Sequence, residues 1–162
     1  MSRLESFIRR LTAQRVCLDH AVSLASQISG PFFELGLGNG RTFDHLREKA
    51  PGREIFVFER KVAAHPDCVP EEAYLFEGPI EESLPKALPR FAEKVALIHA
   101  DLGSGRLEID SITSAFVSAQ APKLLCQKGL ILSDQPLTSQ FMEQVGLPDS
   151  VPAGRYYLFR KL

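Results

Sequence analysis

The chain has 162 residues, 44% hydrophobic and 24% charged, with a formal net charge of -1. That length suits one domain with its own core and is short for two. The near-neutral balance argues against a tight, nonspecific grip on nucleic acid, and no apolar run reaches the roughly 18 residues of a membrane span. Cys17, Cys68 and Cys126 lie far apart and form no CxxC pair, so free packing thiols of a reducing compartment are expected. No apolar core followed by a small-residue cleavage site marks a secretory signal, and the expected location is the cytoplasm.

In chain order, residues 1–29 read as helical. Leu4, Phe7, Ile8 and Leu11 follow the i, i+3, i+4, i+7 spacing of one face, and Val16, Ala21, Val22, Leu24, Ala25 and Ile28 suggest a second stripe closed by Gly30-Pro31. "PFFEL" reads as a buried strand, and "TFDHLREKA" as a helix stopped by Pro51-Gly52. "EIFVFE" is continuous and β-rich, as a strand covered on both faces would be. "AYLFEG" is a short strand, "SLPKALPRFAEK" a proline-marked helix or loop, and "VALIHADLGSG" a buried strand ending in a polar turn. "DSITSAFVSAQAPKLL" is helical up to Pro122, "GLILSD" is another buried strand, and "LTSQFMEQVGLP" reads as a helix. "GRYYLFRKL" alternates weakly and is expected to close an edge of the sheet.

Strands alternating with helices imply βαβ units with right-handed crossovers. The expected fold is α/β: a doubly wound, mainly parallel, Rossmann-like sheet behind N-terminal helices, with an antiparallel final strand. In such a sheet the carboxyl ends of the strands carry the ligand. The first strand–turn–helix here is "ELGLGNGRT". Glycines at Gly36, Gly38 and Gly40 permit backbone angles closed to other residues and let a ligand lie against bare backbone. The dinucleotide fingerprint G-x-G-x-x-G/A would put its third glycine at position 41. That place holds Arg41, and Gly40 comes one residue early.

The pattern E-x-G-x-G-x-G, carried by Glu34, Gly36, Gly38 and Gly40, instead resembles the first motif of class I S-adenosylmethionine (SAM)-dependent methyltransferases. The resemblance extends from about Gly30 to Asp134. It implies that Glu34, Gly36, Leu37, Gly38, Asn39, Gly40, Arg41 and Thr42 lie under the methionine and ribose of SAM. It further implies that Glu59, with Arg60, ends the second strand and holds both ribose hydroxyls. A carboxylate offers two acceptor oxygens to the two donors of a diol. Glu77-Gly78 would stand against the adenine amine, although the family commonly has Asp after Gly there. Asp101 would face the methionine amine or the acceptor, and is the candidate catalytic residue.

The methyl acceptor is harder to read, because SAM supplies the reactivity and the protein mainly aligns the nucleophile. The turn "DLGSG" lacks the [DN]PP[FYW] of amino-methylating DNA enzymes, and no Pro-Cys pair stands where cytosine-C5 enzymes carry their nucleophile. Asp101 with Asp134-Gln135 resembles the metal site of small-molecule O-methyltransferases, except that Gln replaces Asn. Two ordinary strand-end carboxylates are the expectation, with no metal. His99 is expected as a hydrogen-bonded core histidine, with a general base as the alternative, and His65 and Cys68 as loop residues. The SAM-binding core uses nearly everything after Gly30, so residues 1–29 are expected to lid the cofactor pocket of a single domain (1–162), with Gln14, Arg15 and His20 facing it. The leading expectation is methyl transfer to a small molecule, without nucleic-acid or membrane partners and with homo-oligomerisation open. A SAM-binding protein without transferase activity, an NAD(P)-dependent oxidoreductase and a protein or RNA methyltransferase are the alternatives.

Overall fold

The computed structural model of the protein describes residues 2–162. Seven strands form one sheet in the order β3-β2-β1-β4-β5-β7-β6. They are β1 (Phe32–Leu35), β2 (Ile55–Glu59), β3 (Leu75–Glu77), β4 (Val95–Ala100), β5 (Leu125–Ser133), β6 (Met142–Val145) and β7 (Tyr157–Lys161). The first five run parallel, and β7 pairs antiparallel with both β5 and β6. Between them lie α1 (Arg3–Ala25), α2 (Arg41–Lys49), α3 (Ile80–Phe91) and α4 (Leu107–Leu124). The chain winds outward from β1 to β3, then returns to β4 on the other side of β1. The switch point therefore falls between β1 and β4.

Each face of the sheet has its own apolar layer. Phe33, Phe56, Phe58 and Ile131 meet Leu84, Ala87 and Phe91 of α3 and Val117, Ala121 and Leu124 of α4. On the other face Phe32, Val57, Leu97, Leu132 and Leu158 meet Cys17, Leu18, Ala21 and Ala25 of α1 and Phe43 and Leu46 of α2. β1 and β4 are buried along their whole length, which is why their sequences run apolar without alternation.

Four expectations are corrected. The N-terminal segment is one helix, α1, started by Ser2, whose hydroxyl accepts from the Glu5 amide at 3.1 Å. Its buried face begins at Ala13, while Leu4, Phe7 and Ile8 stay exposed. α4 runs through Pro122 to Leu124, because Ala121, Pro122 and Leu124 are buried and packing holds the last turn despite the missing donor. "LTSQFMEQVGLP" is a loop followed by strand β6: Leu137, Phe141 and Met142 mimic helical spacing, but pairing with β7 decides the outcome. β7 consequently lies inside the sheet, and β6, with exposed Glu143 and Gln144, is the edge. α3 is a helix despite Pro85 and Pro89, held by buried Leu84, Ala87 and Phe91.

Candidate functional site

β1 delivers the chain into the glycine turn at Leu35, and α2 leaves it at Arg41. The three glycines have different reasons to be there. A Cβ on Gly36 (φ +88°) would sit 2.6 Å from the Asp101 carbonyl oxygen, so the ends of β1 and β4 could not come together. A Cβ on Gly40 (φ +89°) would run into the Cβ of Cys68. Gly38 (φ +51°) would meet nothing within 4 Å, because its open side faces a cleft of about 390 Å³. Packing of the chain itself requires two of the glycines, and the middle one leaves backbone bare to a ligand.

Glu59 reaches this turn from the end of β2. Its Oε2 accepts from the amides of Leu37 (2.8 Å) and Gly38 (3.1 Å), and its Oε1 accepts from the Lys61 amide (3.2 Å). A carboxylate has about four lone-pair sites, so Oε1 keeps capacity for hydroxyl donors arriving in the cleft. Leu37, Asn39, Arg41 and Thr42 also line the cleft, opposite Leu102, Gly103 and Ser104. The third wall is α1, through Arg10, Leu11 and Gln14. A hollow of about 600 Å³ lies between α4 and the segment before β6, but it gathers none of these strand ends.

Glu34 is not in the cleft wall. It is fully buried beneath the turn, where Oε1 accepts from the Thr42 hydroxyl and Oε2 lies 2.8 Å from His99 Nδ1. His99 stands beside it in register on β4 and is also fully buried, with no partner for its Nε2 among the described residues. Burial alone would lower the His99 pKa. The charge and hydrogen bond of Glu34, then the charges of Asp101 and Asp134, outweigh it and raise the pKa above its ordinary value. The pair therefore supports the turn from below, and the histidine is the hydrogen-bonded core residue expected from the sequence.

Asp101 follows β4 and lines the cleft, where its Oδ2 accepts from Gln14 Nε2 at 2.7 Å. The Tyr156 hydroxyl is held above its ordinary pKa by burial and by the charges of Asp101 and Asp134. Asp134 accepts from the amides of Leu102 (3.3 Å) and Gly103 (2.9 Å). Burial first, then the Asp101 charge, raises its pKa. Gln135 turns its Nε2 toward the same carboxylate at 3.3 Å. The strand-end carboxylate of β5 is thus an anchor for the β4–α4 loop. Among the described residues no group of three or more His, Cys, Asp or Glu is placed to hold a metal ion. Asp110 ties the same loop from the α4 side, accepting from the Ser104 amide (2.7 Å) and hydroxyl (2.7 Å) and the Gly105 amide (3.1 Å).

Of the expected cofactor residues, Gly36, Leu37, Gly38, Asn39, Arg41, Thr42 and Glu59 line the cleft together with Asp101. Gly40, Arg60, Glu77 and Gly78 do not line it; Glu77 instead accepts from the Val62 amide at 3.5 Å, and the Gly78 amide donates to the Glu59 carbonyl at 2.9 Å. Gln14 faces the cleft as expected, whereas Arg15 is exposed and His20 half-buried, both away from it. His65 caps a short turn, its Nδ1 accepting from the Asp67 amide at 3.3 Å. Leu11 was legible only as part of an apolar helix face and Arg10 not at all, because which side of a lone helix meets a cleft is decided by packing. Leu102–Ser104 could have been found, since they follow a strand's carboxyl end.

A doubly wound sheet with a glycine turn, a β2-terminal carboxylate and an antiparallel β7 defines the class I SAM-binding fold. The chain matches the family described as S-adenosyl-L-methionine methyltransferase over residues 1–161, and it belongs to that family. A crystal structure of an S-adenosyl-L-methionine methyl transferase from Silicibacter pomeroyi DSS-3 shares 44% identity over 100% of this chain and 99% of that one, at a TM-score of 0.93. An SAH-bound methyltransferase from Podospora anserina shares the fold at 17% identity and a TM-score of 0.57, over 100% and 80% of the two chains. A release factor-specific protein-(glutamine-N5) methyltransferase from Alicyclobacillus acidocaldarius does so at 12% and 0.53, over 92% and 91%. No curated protein matches the chain. The protein is a SAM-dependent methyltransferase by family, which sets aside the nicotinamide alternative. No helix among the described residues is long and apolar enough to cross a membrane.

Proposed function

We propose that the protein methylates a small molecule in the cytoplasm, at the cleft between the carboxyl ends of β1 and β4. The observation that carries the placement is the Glu59 carboxylate bonded across the turn to the Leu37 and Gly38 amides, beside a Gly38 whose open side is empty. Glu59 would hold the ribose hydroxyls of SAM, the bare backbone at Gly38 would admit the cofactor, and Arg41 would meet its carboxylate. Once bound, SAM supplies an electrophilic methyl group on a sulfonium. The remaining work is alignment and exclusion of water. Asp101, held by Gln14, faces the same space and would orient the methionine amine or the acceptor. The net charge of -1 supports an acceptor other than nucleic acid.

Calorimetric titration with SAM, S-adenosylhomocysteine and NADH tests the placement. Losing charge-assisted bonds worth about 1.5–3 kcal/mol each should cost Glu59→Ala roughly tenfold or more in SAM affinity. Glu59→Gln, which keeps the shape, should lose less, and NADH should give no heat. SAM affinity unchanged in a folded Glu59→Ala variant would remove the ribose assignment. Turnover with tritiated SAM across small-molecule, peptide and RNA panels tests the acceptor class.

A further inference from the structure

The first turns of α1 stand clear of the body of the protein. Residues 2–10 are all exposed, and the helix reaches the core only at Ala13. Within that stretch Leu4 (69% exposed), Phe7 (40%) and Ile8 (49%) share one face. A helical segment this short is marginal in water by itself, and an apolar face left open on it calls for an occupant. The stripe does not stop at the surface. Leu11, next along the face, lines the cleft, and so does Arg10, whose guanidinium lies 5.3 Å from the Phe7 ring centroid. From Leu4 to Leu11 the face runs roughly 10 Å along the helix axis, the reach of a medium hydrocarbon chain or two fused rings.

Charge narrows the occupant. The segment carries Arg3, Arg9 and Arg10 against Glu5 alone. Two copies meeting stripe to stripe would bring like charges together, which disfavours self-association. Inside the cleft Arg10 and Arg41 make no ion pair among the described residues, while Asp101 is bonded to Gln14 and Glu59 to the turn amides. The cofactor brings one carboxylate for these two cations. Continuity of the stripe with the cleft favours a molecule that enters it over a flat membrane surface.

We propose that the first turns of α1 bind the acceptor, an amphiphilic carboxylate whose anionic group meets Arg10 inside the cleft and whose apolar body lies outward along Leu11, Ile8, Phe7 and Leu4. This rests on the methyl-transfer reading, so S-adenosylhomocysteine is titrated first and every later measurement uses protein saturated with it. The probes are decanoate and its uncharged analogue decan-1-ol, followed by calorimetry and by displacement of 1-anilinonaphthalene-8-sulfonate. Decanoate should bind at least about tenfold more tightly than decanol, the scale of one charge-assisted contact. Arg10→Gln should erase that difference, while Phe7→Ser/Ile8→Ser should weaken both probes. Phe141→Ser, at a more exposed aromatic (57%) just before β6, should leave both unchanged. No decanoate binding by protein that binds S-adenosylhomocysteine would overturn the proposal, and so would equal affinities for acid and alcohol. A dimer in sedimentation that dissociates in Phe7→Ser/Ile8→Ser would give the stripe to a second copy instead. Flotation with phosphatidylglycerol vesicles, lost in the same variant, would give it to a membrane surface.

Discussion

Replacing His99 by leucine removes one half of a pair that is sealed from water. Glu34, fully buried, would keep only the Thr42 hydroxyl as a partner. Stranding a buried carboxylate in this way costs about 3–5 kcal/mol. In a chain of this length about 1 kcal/mol moves the melting temperature by roughly 2–4 °C, so His99→Leu should melt about 6–20 °C lower. Glu34→Leu/His99→Leu should recover part of the loss, because no charge is then left unpaired. The pH dependence has a definite sign. The folded pKa of His99 is raised, so its contribution is complete below the ordinary histidine value of about 6.5 and fades as pH rises through the higher folded value. Urea midpoints of the wild type should therefore fall between about pH 6 and about pH 9 by more than those of His99→Leu. A variant within about 1 kcal/mol of the wild type, with the same pH slope, would show that the pair is not ionised and refute the reasoning.

Gly36→Ala should destabilise by about 1–3 kcal/mol, seen in the melting temperature, since its Cβ would sit 2.6 Å from a carbonyl oxygen at positive φ. Gly38→Ala, with nothing of the chain within 4 Å, should cost little stability and act on SAM affinity measured by calorimetry. Asp110→Ala should speed amide exchange at Ser104 and Gly105, which bond its carboxylate. Those bonds, Ser104 foremost, hold the Asp110 pKa below its ordinary value, so the wild-type loop should be protected above about pH 4 and loosen as pH falls through the folded value. Gln14→Glu should weaken SAM binding more than Gln14→Leu does, because it sets a like charge 2.7 Å from Asp101. Truncation through residue 20 is the poorer test of a lid, since it also removes buried Cys17 and Leu18.

How far the sequence could be read depended on whether a feature was local. β1, β2, β4 and the second half of β5 are nearly continuous apolar runs, and burial on both faces imposes that pattern on any sequence adopting it. β6 was hidden because Leu137, Phe141 and Met142 satisfy helical spacing until β7 offers its free edge. Within the site, Gly36, Gly38, Gly40 and Glu59 were visible as a motif. Their division into packing glycines, a bare glycine and a carboxylate bonded to amides needed Cys68 and the Asp101 carbonyl in space. Glu34 was assigned to the cofactor because it begins that motif. Strand pairing sets it beside His99 on β4, buried beneath the turn. Arg10 and Leu11 depended on the orientation of α1, which no local pattern encodes.

The Gln14 side chain joins Asp101, 87 residues away. During synthesis α1 leaves the ribosome well before β4, and the α1 wall of the cleft cannot be fixed to Asp101 until β4 has also emerged. The glycine turn and β2 can assemble early, so a nascent chain would own half a cofactor site well before the whole. Closing so long a loop is entropically slow, and the apolar face of α1 stays uncovered in the meantime. Competence to bind cofactor should therefore appear after the glycine turn has formed rather than together with it.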